Sequence, residues 1–329
     1  MINAISASMV LIGTFIGAGF ASGQEVIQYF GIFGNNGVVG IFISCLLLTL
    51  FTYCTIDNIC VLGEKNYITT LCKYKWVNFL INGYMVLIFG TMINAFGESL
   101  NQMFDIPKIY GVFLINMATI IILYFGGTAV VKFNTIITPL IILGIFLALF
   151  SNNSVAVFNN FGTSAVIYTS YNIITLPFVI LGMKNLVNSK KNAIFCSIIF
   201  GVIIFILALC LFFLLGGIDG ESVQIPLLSV VSDGYVYIMV FVLAMSMLTT
   251  AVSNGYGIIN TTNLPRNLVI FFLFVFALFF SMFKFSFIVK YLYMAFGYMG
   301  LYILISNFCI FVKNREKPRK IEINNNKQK

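Results

Sequence analysis

Residues 11–34 read LIGTFIGAGFASGQEVIQYFGIFG. Apolar sequence continues on both sides of this stretch, so the segment around it is long enough to cross a bilayer, which takes about 20 residues. Its middle is a poor helix. Gly13, Gly17, Gly19 and Gly23 crowd together, and Ser22, Gln24 and Glu25 follow. Each glycine weakens a helix by about 1 kcal/mol relative to alanine. The pattern predicts a span that breaks near Gly17, about the bilayer midplane at a rise of 1.5 Å per residue. An unwound stretch at that depth frees backbone groups to bind an ion or a solute, and the half-helix ends add their dipoles. The competing reading is close packing through Gly13-xxx-Gly17 and Gly19-xxx-Gly23. Packing alone leaves Gln24 and Glu25 unexplained. Glu25 is the one carboxylate well inside an expected span. It must face an aqueous cavity, pair, or stay protonated; an ordinary structural or interfacial hydrogen bond is the alternative.

The rest of the composition agrees with a membrane setting. Hydrophobic residues make up 60% of the 329 and charged residues only 9%, against roughly 25% in soluble proteins. The apolar runs are too long and continuous for alternating barrel strands, so the expected class is an all-α polytopic membrane protein. The net charge of +8 does not point to nucleic acid, because the positive residues sit in short loops between apolar runs and in the C-terminal tail. The seven cysteines form no close pair, and there is no histidine. That removes a disulfide framework, His-ligated metals and His general bases. With no HExxH, GxSxG or paired aspartates, an intramembrane enzyme is disfavoured.

The apolar runs predict about ten spans, at roughly 6–30, 37–60, 77–101, 109–126, 130–150, 163–182, 193–215, 235–259, 267–283 and 287–312. They form a single transmembrane domain over 1–312, followed by a disordered basic cytoplasmic tail, 313–329. Placing both termini inside puts Lys65, Lys73, Lys75, Lys132, Lys184, Lys190, Lys191 and Arg266 on the cytoplasmic side. Only Lys108, Lys284 and Lys290 then lie outside, against Asp105, Asp219, Glu221 and Asp233. Trp76 falls at an expected cytoplasmic interface. The spans divide five and five about the polar loop 151–162, into repeats of about 1–150 and 163–312. An odd number per half forces opposite orientations, which is the arithmetic of an inverted repeat.

The second half opens with IYTSYNIITLPFVILG, residues 167–182. Pro177 removes a backbone hydrogen bond, beside Thr169, Ser170, Tyr171, Asn172 and Thr175. Asn172 lies about 18 Å deep, so spans 1 and 6 are both interrupted near the midplane. That pairing points to a transporter binding site; a plain proline kink is the alternative. Span 8 carries Thr249, Thr250 and Ser253, whose hydroxyls suit a hard cation such as sodium, or bond to their own helix. In span 3, Thr91, Asn94 and Glu98 share a helical face, with Glu98 close enough to the interface to be solvated. Lys132 at the start of span 5 is a topology charge or an ammonium that replaces a bound cation.

The GTFIGAGFASGQEVIQYFGIFG and YTSYNI stretches, with TTAVSNGYG in span 8, resemble the YkvI family of bacterial membrane proteins. That family resembles a small branch of the amino acid–polyamine–organocation superfamily. The resemblance implies the five-plus-five inverted-repeat fold of the leucine transporter, with broken helices 1 and 6 and a plasma-membrane location. It implies a substrate site drawn from Gly17, Ala18, Gly19, Phe20, Ser22, Gly23, Gln24, Glu25, Thr91, Tyr171 and Asn172. It also implies a sodium site drawn from Thr14, Gly17, Thr249, Thr250 and Ser253, with Glu25 and Lys132 as coupling candidates. The substrate-carboxylate motifs of characterised amino-acid transporters are absent.

The expected function is secondary active transport of a small solute, an amino acid or related zwitterion or amine, coupled to sodium or protons by alternating access. The expected partners are that solute and the lipid bilayer, with no nucleic acid and no cofactor beyond sodium; self-association is left open. The alternative is a transporter-fold ligand sensor, like the permease-like subunits of germinant receptors.

Overall fold

The computed structural model describes residues 2–34, 36–149, 164–187, 189–216, 223, 225–262 and 264–315. Among them every regular element is helical, as a chain whose backbone must satisfy itself without water requires. The expected first span is three pieces: α1 (Ile2–Phe15), α2 (Ala18–Ala21) and α3 (Gln24–Tyr29). Then follow α4 (Asn36–Leu62), a short α5 (Glu64–Leu71), α6 (Lys75–Phe104), α7 (Lys108–Phe125) and α8 (Gly127–Ala148). The second half runs α9 (Ala165–Asn172), α10 (Leu176–Gly182), α11 (Lys190–Leu214), a short α12 (Pro226–Val230), α13 (Val236–Thr261) and α14 (Arg266–Phe280). It ends with α15 (Phe285–Phe287), a π-helical stretch Ile288–Tyr293 and α16 (Met294–Lys313).

Eight segments are long and apolar enough to cross a membrane, counting the broken pair 165–182 and the composite segment 285–313 each as one. Two shorter apolar helices, Asn3–Phe15 and Arg266–Phe280, stand where the first and ninth spans were expected. The second covers only about 22 Å at 1.5 Å per residue. It is bounded by Pro265 at its N-cap and by the turn at Ser281. The loop 151–162 and the tail from 316 lie outside the described residues, as do Asp219 and Glu221. The short α5, α12 and the π-helical stretch were not anticipated.

Packing repeats with an offset of five spans. α1 packs on α8 and α11, while α9 packs on α16 and α4. α6 packs on α7 and α14, while α13 packs on α14 and α7. The pairs α4·α11 and α6·α13 map onto themselves. Large apolar residues such as Leu114 and Phe125 on α7, and Phe271 and Phe279 on α14, are exposed. Lipid is the solvent such surfaces suit. Polar side chains then act as ties between helices. Asn58 Nδ2 and the Tyr67 hydroxyl donate to Asn307 Oδ1 at 2.9 and 3.0 Å, and Asn307 Nδ2 donates to Thr55 Oγ1 at 3.0 Å. This network pins α16 to α4 and α5, each bond worth roughly 0.6–2 kcal/mol in such surroundings. All seven cysteines are free. Trp76 is exposed and stacks on Tyr74.

Candidate functional site

The first span breaks where its glycines predicted. α1 ends at Phe15, Gly17 is extended (φ −88°, ψ −170°), and α2 starts at Ala18. Helical continuity would send Gly17 N–H to Gly13 O and Ala18 N–H to Thr14 O. Instead Gly17 N–H donates to Phe15 O at 2.8 Å, and Ala18 N–H donates to Met92 Sδ at 3.0 Å. Two carbonyls are thereby released, and α13 meets them with hydroxyls. Thr249 Oγ1 lies 2.9 Å from Gly13 O and 2.9 Å from Ser246 O. Thr250 Oγ1 lies 3.2, 3.1 and 3.3 Å from the carbonyls of Gly13, Thr14 and Ile16. The result is a knot of neutral oxygens, in which each hydroxyl has two or three acceptors within reach.

α8 closes this knot from the other side. Asn134 Nδ2 donates to Ser253 Oγ at 2.9 Å, and Thr138 Oγ1 donates to Met9 O at 3.0 Å. A Cβ on Gly13 would collide with Thr138 Oγ1 and stand 3.3 Å from Asn134 Oδ1. Gly13 is therefore the contact that lets the polar face of α8 reach α1.

The second bend of the first span is at Gly23, whose φ of +79° is the left-handed conformation that favours glycine. It turns the chain so that Glu25, in the first turn of α3, folds back over α2. A Cβ on Gly19 would meet the Glu25 carboxylate, with Cγ and Cδ at 2.7 Å. Ser22 supports the bend: its hydroxyl donates to Gly19 O at 3.3 Å and accepts from Gln24 N–H at 3.3 Å. Ser22 O accepts from Leu227 N–H of α12 at 2.8 Å. In the sixth span, α9 stops at Asn172, residues 173–175 form a turn, and α10 starts at Leu176 with Pro177 in its first turn.

The two breaks meet at a cavity of about 30 Å³, room for about two water-sized groups. Thr14, Gly17, Glu25, Tyr171, Asn172 and Thr250 line it, as expected residues brought together. Ala18, Gly19, Phe20, Ser22, Gly23 and Gln24 build the bend rather than the wall, with Phe20 stacked edge-on against Phe15. α6 presents Tyr84, Ile88 and Met92 at four-residue spacing. Thr91 is one position, about 100°, off that face, and its hydroxyl returns to Leu87 O at 2.7 Å. Asn94 instead reaches Phe283 O, and Glu98 pairs with Lys108 at 2.7 Å.

Two expectations are corrected, and one alternative falls. Lys132 is exposed, as a topology charge would be and a surrogate cation at the break would not; the α8 residue that faces the break is Asn134, two positions and about 200° around the helix. Gly17 O is engaged by Ala21 N–H at 2.9 Å inside α2, and Gly13 O takes its place in the oxygen knot. Ser253 is held by Asn134, beside the knot. Met92, Asn134, Tyr84 and Tyr293 were missed. Tyr293 sits at the end of the π-helical stretch, a feature common at functional sites, but no sequence signal marks it.

No family model matches the chain. A protein of Bacillus subtilis (strain 168), described as the uncharacterized protein YyaD, is 27% identical over 323 residues, covering 90% of this chain and 94% of that one. Among solved structures, a substrate-bound, outward-open Na+-coupled sialic acid symporter superposes with a TM-score of 0.63 at 13% identity, over 93% of this chain and 79% of that one. A manganese transporter of Eremococcus coleocola superposes with a TM-score of 0.63 at 11% identity, over 95% and 86%. The chain has the leucine-transporter fold.

Proposed function

We propose that this protein is a secondary active transporter that moves a small solute through the cavity between the broken first and sixth spans, driven by sodium bound at the oxygen knot. The observation that carries the reading is the meeting of the Thr249 and Thr250 hydroxyls with the carbonyls of Gly13, Thr14 and Ile16. A monovalent hard cation is held by neutral oxygens of this kind. To receive it, the two hydroxyls turn their protons to other carbonyls, Ser246 O being one within reach of Thr249, and offer lone pairs instead. Sodium would tie α1 to α13 across the break and so favour one arrangement of the two halves. A solute that binds at the same break is then coupled to the ion through a shared element. The fold shared with a Na+-coupled symporter supports the reading.

In this role the protein lies in the bacterial plasma membrane with both termini cytoplasmic and is built of two repeats, about 1–150 and 163–312. The distribution of lysines supports that orientation, and the motifs of the first, sixth and eighth spans support kinship with the YkvI proteins. Cysteine labelling at Lys190 should report the inside; labelling from the outside would reject the orientation.

The decisive experiment is uptake in proteoliposomes across a panel of amino acids and amines, with an inward sodium gradient or with potassium in its place. At least one solute should accumulate with sodium and fail to with potassium. Accumulation that is indifferent to sodium and to Thr250→Val would reject sodium coupling. No accumulation of any solute, alongside ligand-dependent binding of a partner protein, would support the sensor instead.

A further inference from the structure

The cavity has a chemical bias that the transport reading leaves open. Among the described residues its wall carries a single charged side chain, the acid Glu25, and three tyrosines, Tyr84, Tyr171 and Tyr293. Tyr29 and Tyr168 extend the cluster behind them. Ring centroids stand 5.2 Å apart for Tyr171–Tyr293, 5.3 Å for Tyr29–Tyr171 and 5.5 Å for Tyr168–Tyr171. Glu25 is 4% exposed and each of these tyrosines 2% or less.

Buried polar atoms are ordinarily hydrogen-bonded. Here Glu25 Oε2, Asn254 Oδ1 and the hydroxyls of Tyr29, Tyr168, Tyr171 and Tyr293 have no partner among the described residues. Tyr171 and Asn172 stand beside the carboxylate, yet neither Oε2 nor the Tyr171 hydroxyl reaches hydrogen-bond geometry. Asn254 Oδ1 can only accept, as can an ionised carboxylate, while the phenols can accept or donate. What the cluster lacks is a group with several donors. An anion would need donors from the protein; among the described residues the wall offers phenol O–H groups but no Lys or Arg, and the Ala18 N–H at the break is taken by Met92 Sδ. Tyrosine faces attract cations.

We propose that the cavity takes a small organic cation, a protonated primary amine, with Glu25 as its counter-ion and the tyrosines as its cage. The proposal rests on the transport reading for the place of the solute and names the solute's class. An alkylammonium group supplies three donors, enough for Glu25 Oε2, Asn254 Oδ1 and one phenol oxygen at once, while its first methylene lies against the rings. Gly19 is part of the recognition, because a side chain there would push the Glu25 carboxylate off its seat. The described wall offers a carboxylate phenol hydroxyls but no cationic side chain, so an amine should bind at least as well as the amino acid from which decarboxylation would derive it.

The test is a titration of the purified full-length protein, following the thermal unfolding midpoint, with the pairs methylamine and glycine, and ethylamine and L-alanine, sized to the small cavity. Ethanol and acetate serve as neutral and anionic controls. At least one amine should raise the midpoint in a saturable way, its amino acid should do so no better, and ethanol and acetate should not. Glu25→Gln should weaken the amine at least about tenfold, the scale of a charge-assisted bond. Tyr293→Phe should weaken it less, and both variants should elute as the wild type does in size-exclusion chromatography, as proof of folding. The proposal is overturned if no amine shifts the midpoint, if amino acids bind and their amines do not, if ethanol or acetate acts alike, or if Glu25→Gln binds the amine unchanged. A sodium response that Glu25→Gln abolishes, with no amine effect, also overturns it and assigns the cavity to an inorganic cation. Amine binding without uptake in proteoliposomes would keep this inference and reject transport. Uptake of an anionic or neutral solute would keep transport and reject this inference.

Discussion

Two polar clusters flank the break in the first span, and they are built in opposite ways. On the α1 side, hydroxyls and carbonyls find one another, with Asn134 Oδ1 left over: Thr249 and Thr250 on Gly13, Thr14 and Ile16, Asn134 Nδ2 on Ser253, Thr138 on Met9. On the α2–α3 side, Glu25 and four tyrosine hydroxyls are buried with unpartnered oxygens. A satisfied hydrogen bond contributes about 1 kcal/mol net, whereas an unsatisfied buried group costs about 1–3 kcal/mol. The first cluster thus helps hold the fold as it stands. The second is held by ring packing and the bend at Gly23, and it gains its missing partners from a ligand. The contrast separates the roles: the α1 side fixes how the halves sit and can trade hydroxyl protons for an ion, while the α2–α3 side chooses the solute.

The sharpest way to break the comparison is to remove both hydroxyls of the knot. Thr249→Val with Thr250→Val keeps shape and deletes the side-chain oxygens that would face the ion. Sodium-induced stabilisation, read as the shift of the unfolding midpoint between sodium and potassium, should vanish, a loss of affinity on the order of 100-fold for two oxygen ligands at ~1–2 kcal/mol each. A double variant that keeps the wild-type shift would move the ion elsewhere. The α2–α3 side is probed next with Gly19→Ala. Its single methyl displaces Glu25, so solute binding should weaken about tenfold while the sodium response persists; equal loss of both would mean that the two clusters are one site.

Stability measurements sharpen the contrast further. Ser253→Ala leaves Asn134 Nδ2 without its acceptor and should lower stability by about 1–2 kcal/mol in detergent unfolding. Tyr168→Phe removes a hydroxyl that has no partner, at constant ring packing, and should be neutral or stabilising by up to about 1 kcal/mol in the absence of ligand. If Tyr168→Phe costs as much as Ser253→Ala, the clusters do not differ in the way described. The smallest effect is expected from Lys132→Met. Its side chain is exposed on α8, so sodium response and solute binding should both stay within experimental scatter of the wild type; a gain of sodium dependence on substitution would restore the lysine as a surrogate ion.

The sequence alone determined the helical membrane class: 60% hydrophobic and 9% charged residues call for lipid, and apolar runs too long and continuous for barrel strands leave the helix to satisfy the backbone there. It also determined where the two spans break. Gly17, Gly23 and Pro177 act through the local backbone, and local backbone preferences are legible without knowing any neighbour. Glu25, Tyr171 and Asn172 could be named for the same reason: they are polar residues beside those breaks. The tertiary structure decided which side chains face them. Asn134 rather than Lys132, and Met92 rather than Thr91, reach the centre because a shift of one or two positions on a helix turns a side chain by about 100° or 200°. On a helix apolar nearly all round, hydrophobic periodicity does not mark the inward face. Tyr84, Tyr168 and Tyr293 look like ordinary aromatic residues in their own spans. They become a cage only when α6, α9 and the π-helical stretch before α16 converge on Glu25, and that convergence is a property of packing between segments far apart in the chain.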